Sequence, residues 1–462
     1  MATQTLKCER HGEATRLTCV ECGKPICPKC AVRTEVGLKC EADARTVEVP
    51  KEALATLRPS RTPLLLGTAG LVVLVALIAF LTLRSSDGGE EAPAALPPVG
   101  SWMPTPDLAT IRGTTAAVLL DDGKVLAAGG GVGQIPINTA ELFDPGPGQW
   151  RPTGSMAQAR RGHAVAVLSD GRVLVAGGIA EGTLLASAEI FDPATGRWSG
   201  AAPMNLARLG HSLTTLADGR VLAAGGSSLG GAEGTGGGQT IRPESSAEVF
   251  DPASGRWTNT SAGMSSARFE HTATLLDDGR VLIVGGQGPP VEGRSSALAS
   301  TELFDPAVNT FLRSNDMGEA RTNHAAVKLA DRSVLVMGGS GGPNGDLSLS
   351  TAEVFDPSRG AWSGVGPLAQ ARTGHTATVL TDGRVLVAGG ESASRGTRRS
   401  LDTGELYTPD RRDWRSAGKM NCPRSEAAAV LLGDGTALVV AGDAAFPGQQ
   451  PEPKSCADRY RP

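Results

Sequence analysis

The chain has 462 residues, of which 40% are hydrophobic, and its formal net charge at pH 7 is −4. This charge balance lacks the excess of positive charge that nucleic-acid-binding proteins use, so we predict no nucleic-acid partner. The length allows for about two to four domains. The 61 glycines and the short apolar runs described below indicate a mainly β chain.

Residues 1–45 form the first predicted domain and contain six of the eight cysteines. The cysteines are grouped at two-residue gaps with one histidine and one aspartate, which gives eight candidate zinc ligands: Cys8, His11, Cys19, Cys22, Cys27, Cys30, Cys40 and Asp43. A two-residue gap lets both side chains of a pair face one ion, and eight ligands suffice for two tetrahedral Zn²⁺ sites. We predict structural zinc ions that drive the folding of this segment, with a disulfide framework as the alternative.

The spacing resembles a B-box-type zinc finger and also the short N-terminal finger of some bacterial rhomboid proteases. In such fingers the ligand pairs interleave, so that the first and third pairs bind one ion and the second and fourth pairs bind the other. The resemblance therefore implies one ion bound by Cys8, His11, Cys27 and Cys30, and a second bound by Cys19, Cys22, Cys40 and Asp43. Such fingers more often have Cys or His where this chain has Asp43, although a carboxylate can also bind zinc. We expect the finger to bind a cytoplasmic protein.

Three segments follow the finger: a polar linker at 46–61, an uncharged apolar stretch at 62–83 and a flexible acidic tether at 84–100. At about 1.5 Å per residue, a helix formed by the apolar stretch would span the roughly 30 Å hydrocarbon core of a membrane. We therefore predict a single transmembrane helix at 62–83, with a helix buried in a protein core as the alternative.

The charges that flank this stretch predict its orientation. Lys51, Arg58 and Arg61 precede it, whereas only Arg84 follows it before acidic residues begin. Because positive charge is enriched on the cytoplasmic side of membrane helices, we predict a single-pass cell-membrane protein. Its N-terminus would be cytoplasmic and its C-terminal domain extracytoplasmic.

Residues 101–462 consist of a repeated pattern. In each copy two short apolar runs, most often joined by Asp-Gly, predict a β-hairpin, and a glycine doublet ends the second run. The doublets begin at Gly129, Gly177, Gly225, Gly285, Gly338 and Gly389, and a degraded seventh copy has Gly442 followed by aspartate. The repeat length of 48 to 60 residues fits a four-stranded propeller blade.

Two aromatic positions follow each doublet. The predicted third strand carries Phe143, Phe191, Phe250, Phe304, Phe355, Tyr407 and Tyr460, and the fourth carries Trp150, Trp198, Trp257, Phe311, Trp362 and Trp414. The pattern resembles the kelch repeat, and the resemblance implies an all-β, seven-bladed propeller. The last copy ends after Tyr460 without a fourth strand, and Trp102 lies ahead of the first copy. We predict that the Trp102 strand completes blade seven and leaves no open sheet edge.

Charged residues also recur in the repeat. An arginine lies three residues before a histidine in Arg160/His163, Arg208/His211, Arg268/His271, Arg321/His324 and Arg372/His375, and strand three carries Glu141, Glu189, Glu248, Glu302, Glu353 and Glu405. An acid–base or anion-binding pair is one interpretation. A group repeated around a ring is more typical of structural support, and we predict no catalytic residue and no enzyme activity.

The leading functional prediction is a protein-interaction or ligand-binding protein that recognises a protein or a glycan through its propeller loops. The alternative is a carbohydrate-active propeller enzyme of galactose-oxidase-like or sialidase-like type. A copper enzyme of the first type needs tyrosine ligands, but Tyr407 and Tyr460 are the only tyrosines and both occupy the aromatic position of the repeat. For the second type, we find no separate tyrosine and acidic constellation outside the repeat.

The loops between strands two and three are longest in blades three and four, at 227–246 and 287–300. Functional loops are often long and exposed, so we predict that a partner binds on this face, with tolerated insertions as the alternative. Cys422 and Cys456 fall on the same face of blade seven. They form a candidate disulfide, and two buried thiols are the alternative.

Overall fold

The computed structural model describes residues 98–230, 240–291, 294–342, 346–394, 397–445 and 452–462, together with the backbone of four short strands near the N-terminus. The chain divides into two compact units, Met1–Gly89 and Glu90–Pro462. In the first unit the antiparallel pairs are Leu6–Lys7 with Ala14–Thr15 and Ala31–Thr34 with Gly37–Cys40. Cys40 lies opposite Ala31 in the second pair, and the other seven predicted zinc ligands lie outside the described residues.

The second unit is a propeller of seven four-stranded antiparallel blades, which confirms the predicted fold class. Strand one spans Ala116–Leu119, Ala164–Val167, Ser212–Thr215, Thr272–Leu275, Ala325–Lys328, Thr376–Val379 and Ala428–Leu431 in blades one to seven. Strand two spans Val125–Ala128, Val173–Ala176, Val221–Ala224, Val281–Val284, Val334–Met337, Val385–Ala388 and Ala437–Val440. Strand three spans Ala140–Asp144, Ala188–Asp192, Ala247–Asp251, Thr301–Asp305, Ala352–Asp356, Thr403–Thr408 and Ala457–Arg461. Strand four spans Gln149–Pro152, Arg197–Ala201, Arg256–Asn259, Thr310–Arg313, Ala361–Val365, Asp413–Lys419 and, in blade seven, Ser101–Thr105.

The core lies between neighbouring blades. Strand two is apolar on both faces because each of its faces packs against an adjacent blade, and all four of its residues are buried in every blade. Leu174 of blade two, for example, shares a cluster with Val221 and Phe250 of blade three. Burial on both faces explains why strand two reads as a continuous apolar run rather than an alternating one.

The ring is closed by a strand from the start of the propeller. Ser101–Thr105 pairs with Ala457–Arg461, and Trp102 lies opposite Tyr460 with the ring centroids 5.1 Å apart. The Trp102 indole also donates a hydrogen bond to the carbonyl of Ala417 in blade six, at 2.8 Å. Blade seven is therefore completed by residues far away in sequence, and its third strand has no open edge.

The glycine doublets are required by backbone conformation and by close packing. Gly225 and Gly226 have φ angles of +61° and +94°, in the left-handed region that side chains disfavour. A Cβ atom on Gly225 would lie 2.5 Å from the carbonyl oxygen of Arg268, in the next blade. The doublet thus ends strand two where the neighbouring blade approaches its backbone.

Each connection between strands two and three contains a two-stranded hairpin, which the sequence analysis did not predict. The seven hairpins are Gly131–Val132 with Ile135–Pro136, Ile179–Ala180 with Thr183–Leu184, Ser227–Gly230 with Thr240–Pro243, Gln287–Val291 with Arg294–Ala297, Ser340–Gly341 with Leu347–Ser348, Glu391–Ser394 with Thr397–Ser400, and Asp443–Ala444 with Glu452–Pro453. Because the blades are antiparallel, these hairpins lie on the same side of the ring as the connections from strand four to strand one. We call this side the hairpin face.

The predicted membrane location is contradicted. Within the part of the chain that the structure describes, no helix is long and apolar enough to cross a membrane. The predicted span at 62–83, its linker and most of its tether lie outside the described residues. We correct the localisation accordingly, and the orientation inferred from Lys51, Arg58 and Arg61 is withdrawn with it.

Candidate binding face of the propeller

The repeated arginines and acidic residues support each blade. Arg208 is buried and donates to the carbonyls of Gly225 and Ser246 at 2.7 and 2.8 Å, and to Glu248 at 3.0 Å. Glu248 in turn accepts hydrogen bonds from the backbone N–H groups of Asn205 and Leu206. Each pair therefore ties the connection before strand one to strands two and three of its own blade.

The same arrangement recurs around the ring as Arg112–Glu141, Arg160–Glu189, Arg268–Glu302, Arg321–Glu353, Arg372–Glu405 and Arg424–Asp458. Seven equivalent buried pairs, each with its hydrogen bonds made inside one blade, form a structural network. The glutamates bridge the strands and accept hydrogen bonds from the connection before strand one, which is the kind of structural support that their repetition indicates.

The recurring histidines pack between blades. The Cε1 atom of His375 would lie 2.6 Å from a Cβ atom placed on Gly338 of blade five, so the imidazole fills the space that this glycine leaves. Burial lowers the pKa of His163, His211, His271 and His375 to about 3 in each case, helped by the charge of a nearby arginine, and lowers that of His324 in the same way. Neutral rings held in this way pack the blade interfaces.

A residue of the innermost part of each blade lies directly before the five histidines and before Thr115 and Ala427, which occupy the histidine position in blades one and seven. These seven positions, which we call the inner ring, are Thr114, Gly162, Gly210, Glu270, Asn323, Gly374 and Glu426. Consecutive members are joined by backbone hydrogen bonds from one blade to the next: Gly210 to Gly162, Glu270 to Gly210, Asn323 to Glu270, Gly374 to Asn323 and Glu426 to Gly374. Strand one of every blade contacts strand one of both neighbouring blades, which places strand one and the residues directly before it on the innermost circle of the propeller. The inner ring therefore surrounds the mouth of the central channel on the hairpin face.

The inner ring is where the blades stop being equivalent. All seven positions have positive φ, a conformation that glycine adopts without strain, yet four of them carry a side chain. The amide of Asn323 donates to Glu426 Oε1 at 2.6 Å, and Glu426 lies over Gly374, where a Cβ atom would be 2.4 Å from the same oxygen. Glu270 accepts a hydrogen bond from the hydroxyl of Thr322 at 3.4 Å. Blades four, five and seven thus place an irregular polar cluster at the channel mouth.

The carboxyl groups of this cluster influence each other. Burial of its carboxyl group raises the pKa of Glu270 to about 7, and the nearby charge of Glu426 adds to the shift, although the residue as a whole is exposed to the open channel. Burial also raises the pKa of Glu426, against the hydrogen bond from Asn323. The carboxyl groups of Asp443 and Glu391, at the first position of the hairpins of blades seven and six, are affected in the same direction by burial. The mouth is therefore acidic, and its carboxyl groups hold protons more tightly than free carboxylates do.

Exposed apolar side chains lie on the hairpin face at blades one, three, four and five. Among the described residues, most of the large exposed hydrophobic side chains lie on the hairpin face: Ile111, Val132, Ile135, Ile241, Val291 and Leu347. All except Ile111 belong to the hairpins of blades one, three, four and five. The long loops of blades three and four, on which the partner prediction depends, contribute Ile241 and Val291. We call these six side chains the apolar rim, and exposed apolar side chains collected on one face are a feature of interaction surfaces.

The remaining predicted site residues lie elsewhere. Tyr407 and Tyr460 are buried in blades six and seven, where they pack against Trp414 and Trp102. The Cα atoms of Cys422 and Cys456 are 6.7 Å apart, with the two cysteines paired as a disulfide. Formation of this bond in the protein stays a prediction. Among the described residues, no three His, Cys, Asp or Glu side chains are arranged to hold a metal ion.

Comparisons with known families agree with these features. The Kelch motif matches residues 112–157 and 160–205, and the B-box zinc finger matches residues 3–35. The B-box match implies that this segment binds zinc, and the cysteine- and histidine-rich donor set fits that ion. Both resemblances inferred from the sequence are confirmed at this level, whereas the number of ions is not.

Curated relatives share the repeats over part of their length. The chain is 32% identical over 160 residues to Kelch domain-containing protein 9 from Mus musculus, covering 33% of this chain and 43% of the relative. It is 32% identical over 130 residues to Kelch-like protein 33 from Homo sapiens, covering 28% of this chain and 23% of the relative. Beta-scruin from Limulus polyphemus is 28% identical over 191 residues, covering 40% of this chain and 20% of the relative. The matched part thus spans less than half the length of each relative.

Solved structures share the fold at low identity. A fungal alcohol oxidase of the AA5 family, solved in complex with copper, has a TM-score of 0.62 and 18% identity, covering 79% of this chain and 77% of its own. The structure of YjhT has a TM-score of 0.52 and 12% identity, covering 65% of this chain and 95% of its own. Identity at this level shows the fold alone. The chain is a seven-bladed propeller with kelch repeats, preceded by a segment that matches a B-box zinc finger.

Proposed function

We propose that this chain is a protein-interaction protein whose propeller binds its partner on the hairpin face. The observation that carries the proposal is the apolar rim, where Ile135, Ile241 and Val291 are 69%, 59% and 62% exposed. Apolar side chains gathered around one surface at this level of exposure mark interaction sites in soluble domains. The kelch repeats shared with the curated relatives support the same functional class.

Photo-crosslinking tests this proposal by position. A benzoylphenylalanine residue introduced at Ile241 of the full chain is expected to crosslink a defined partner in cells that express the protein. The same residue at Leu312 is the matched control, because Leu312 is 47% exposed on strand four of blade four and lies outside the hairpins. Equal crosslinking from both positions, or crosslinking from Leu312 alone, would show that the hairpin face is not the binding surface.

For the finger we propose two zinc ions, held as the family resemblance implies. Cys8, His11, Cys27 and Cys30 would hold one ion, and Cys19, Cys22, Cys40 and Asp43 the other. The metal would supply the folding free energy that so short a segment lacks, and the folded finger would bind a second protein. Elemental analysis of the purified chain is expected to give about two zinc ions per chain, falling towards one in Asp43→Ala. A single ion in the wild-type chain would contradict the second site.

A carbohydrate-active enzyme is the second candidate function, and the observation in its favour is the pair of carboxyl groups in the inner ring. Glycoside hydrolysis uses two carboxyl groups, and the one that acts as an acid has a raised pKa, as Glu270 does. The copper-dependent form of this candidate has less support, because Tyr407 and Tyr460 are engaged in the blade cores. Hydrolysis of aryl glycosides by the full chain that is lost in Glu270→Gln would favour this candidate over binding.

A further inference from the structure

We propose that the channel mouth accepts one lysine or arginine side chain of the partner protein, while the apolar rim contacts the residues on either side of that side chain. This inference rests on the proposed function and adds the chemistry of the partner. Two features support it: the acceptor groups in the inner ring and the unequal shape of the mouth.

The acceptor groups are Glu270 and Glu426. Each uses one carboxylate oxygen on a neighbouring side chain, Thr322 for Glu270 and Asn323 for Glu426. Within the described part of the chain, the structure gives no protein donor to the second oxygen of either carboxylate. A lysine ammonium has three donors and an arginine guanidinium has five, so either group could bind both free oxygens.

The surrounding charges favour a cation. Asp443 and Glu391 lie close enough to Glu426 to raise its pKa further, which brings four carboxyl groups to the mouth. Two arginines oppose them: Arg161 influences Asp443, and Arg398 pairs with Glu391 at 3.3 Å. Carboxyl groups remain in excess, so a basic side chain would relieve the repulsion between Glu270 and Glu426 that the structure contains.

The two sides of the mouth differ. Blades four, five and seven place Glu270, Asn323 and Glu426 in the inner ring, whereas blades two and three have Gly162 and Gly210 there. The half-buried side chains of Leu209 and Phe269 pack beside these two glycines, so a long aliphatic stem could lie against them with its charged end at the carboxylates. Lysine and arginine have this form, with an apolar stem and a charged head. The apolar rim accounts for the partner residues that flank the basic one.

A peptide selection tests the inference. A phage library of random dodecapeptides is panned against the full chain, and synthetic copies of the recovered peptides are measured by fluorescence anisotropy. We expect the peptides to share one lysine or arginine flanked by apolar residues. Affinity should fall at least about tenfold in Glu270→Gln/Glu426→Gln and fall similarly when norleucine replaces the basic residue. Glu181→Gln removes a charge from the exposed hairpin turn of blade two and should leave affinity unchanged.

The outcomes separate the two proposals. Some peptides could lose affinity for Ile241→Ser/Val291→Ser but bind Glu270→Gln/Glu426→Gln as tightly as wild type. That result would overturn the inference of a basic partner side chain and would still support the hairpin face as the binding surface. A selection that yields no peptide dependent on the hairpin face would overturn both. The glutamine variants should fold, because removing two neighbouring carboxylates relieves repulsion, and a thermal melt of each variant checks this directly.

Discussion

Replacing Glu248 with alanine is expected to lower the free energy of unfolding of the propeller by about 3–5 kcal/mol, because it leaves the buried guanidinium of Arg208 without its counter-charge. Both side chains are only 1% exposed. The substitution also leaves the backbone N–H groups of Asn205 and Leu206 without their acceptor. Urea denaturation followed by tryptophan fluorescence would measure the change.

The matched control is a pair on the surface of the neighbouring blade. Arg313 and Asp316 are 3.2 Å apart, with side chains 72% and 41% exposed, and Asp316→Ala should change the stability by less than about 1 kcal/mol. A loss for Glu248→Ala as small as that of the control would show that water reaches Arg208 when its partner is removed. The blade network would then contribute little to stability.

A double variant separates charge from hydrogen bonding. Replacing a buried ion pair by apolar residues is often neutral, so Arg208→Met/Glu248→Leu would restore stability if charge balance were all that mattered. This pair, however, also satisfies the carbonyls of Gly225 and Ser246 and two backbone N–H groups. We therefore expect the double variant to stay several kcal/mol less stable than wild type, at about 1 kcal/mol or more for each buried group left without a partner. Full recovery would contradict this account.

The repeated features were predictable because each of them recurs in most of the seven copies of the repeat. Chance substitutions differ between copies, so the glycine doublet, the aromatic pair and the Arg–Glu pattern stand out from any single blade. The last copy of the repeat lacks a fourth strand, and this gap predicted that the Trp102 strand completes blade seven. In the structure the Trp102 strand pairs with the strand that contains Tyr460. Each blade needs the same backbone turn, the same aromatic packing and the same buried ion pair, so the same residue types recur. Aligning the repeats of this one chain is enough to find them.

The channel mouth was not predictable in the same way, because its residues break the repeat. Thr114, Glu270, Asn323 and Glu426 occupy a position that is glycine in the other three blades, and in an alignment of repeats they look like noise. Only the ring geometry brings residues of blades four, five and seven together. One signal was available in the sequence. When the repeats are aligned, the position directly before the histidine is glycine in some copies and glutamate in others. The hairpins were missed because most have two-residue strands, too short to produce an alternating pattern.

The propeller is also expected to lose stability steeply in mild acid. His163, His211, His271 and His375 have pKa values of about 3 in the folded chain, and that of His324 is lowered as well. In the unfolded chain each would titrate near 6.5, at about the value of a free histidine. Their contribution is therefore fully present above about pH 6.5 and is lost as the pH falls towards 3, because only the unfolded state takes up the protons.

Two carboxyl groups of the inner ring work in the opposite direction. The pKa of Glu270 is raised to about 7 and that of Glu426 is also raised, so the folded state holds protons that the unfolded state releases above about pH 4.5. Five histidines outweigh two glutamates. From the five histidines and Glu270 alone, the unfolded chain should bind roughly three to four more protons than the folded chain near pH 5.5, which lowers the free energy of unfolding by about 4–5 kcal/mol per pH unit. The raised pKa values of Glu426, Asp443 and Glu391 make this slope shallower.

Two variants that act with opposite sign test this balance. His375→Thr introduces the residue that blade one has at Thr115, whose hydroxyl bonds to the carbonyls of Ala128 and Gly129, and it removes one proton from the difference. The slope between pH 6 and 5 should then become shallower by about 1.4 kcal/mol per pH unit, whereas Glu270→Gln should make it steeper by a similar amount. Urea midpoints measured from pH 7.5 to 5 give both slopes. If neither variant changes the pH slope of the free energy of unfolding, the histidines are not held neutral between the blades. If His375→Thr changes the slope and Glu270→Gln does not, the carboxylate at the channel mouth is solvated as on an open surface. The stability profile of the variants therefore tests, without any ligand, the enclosed acidic mouth on which the inferred basic partner depends.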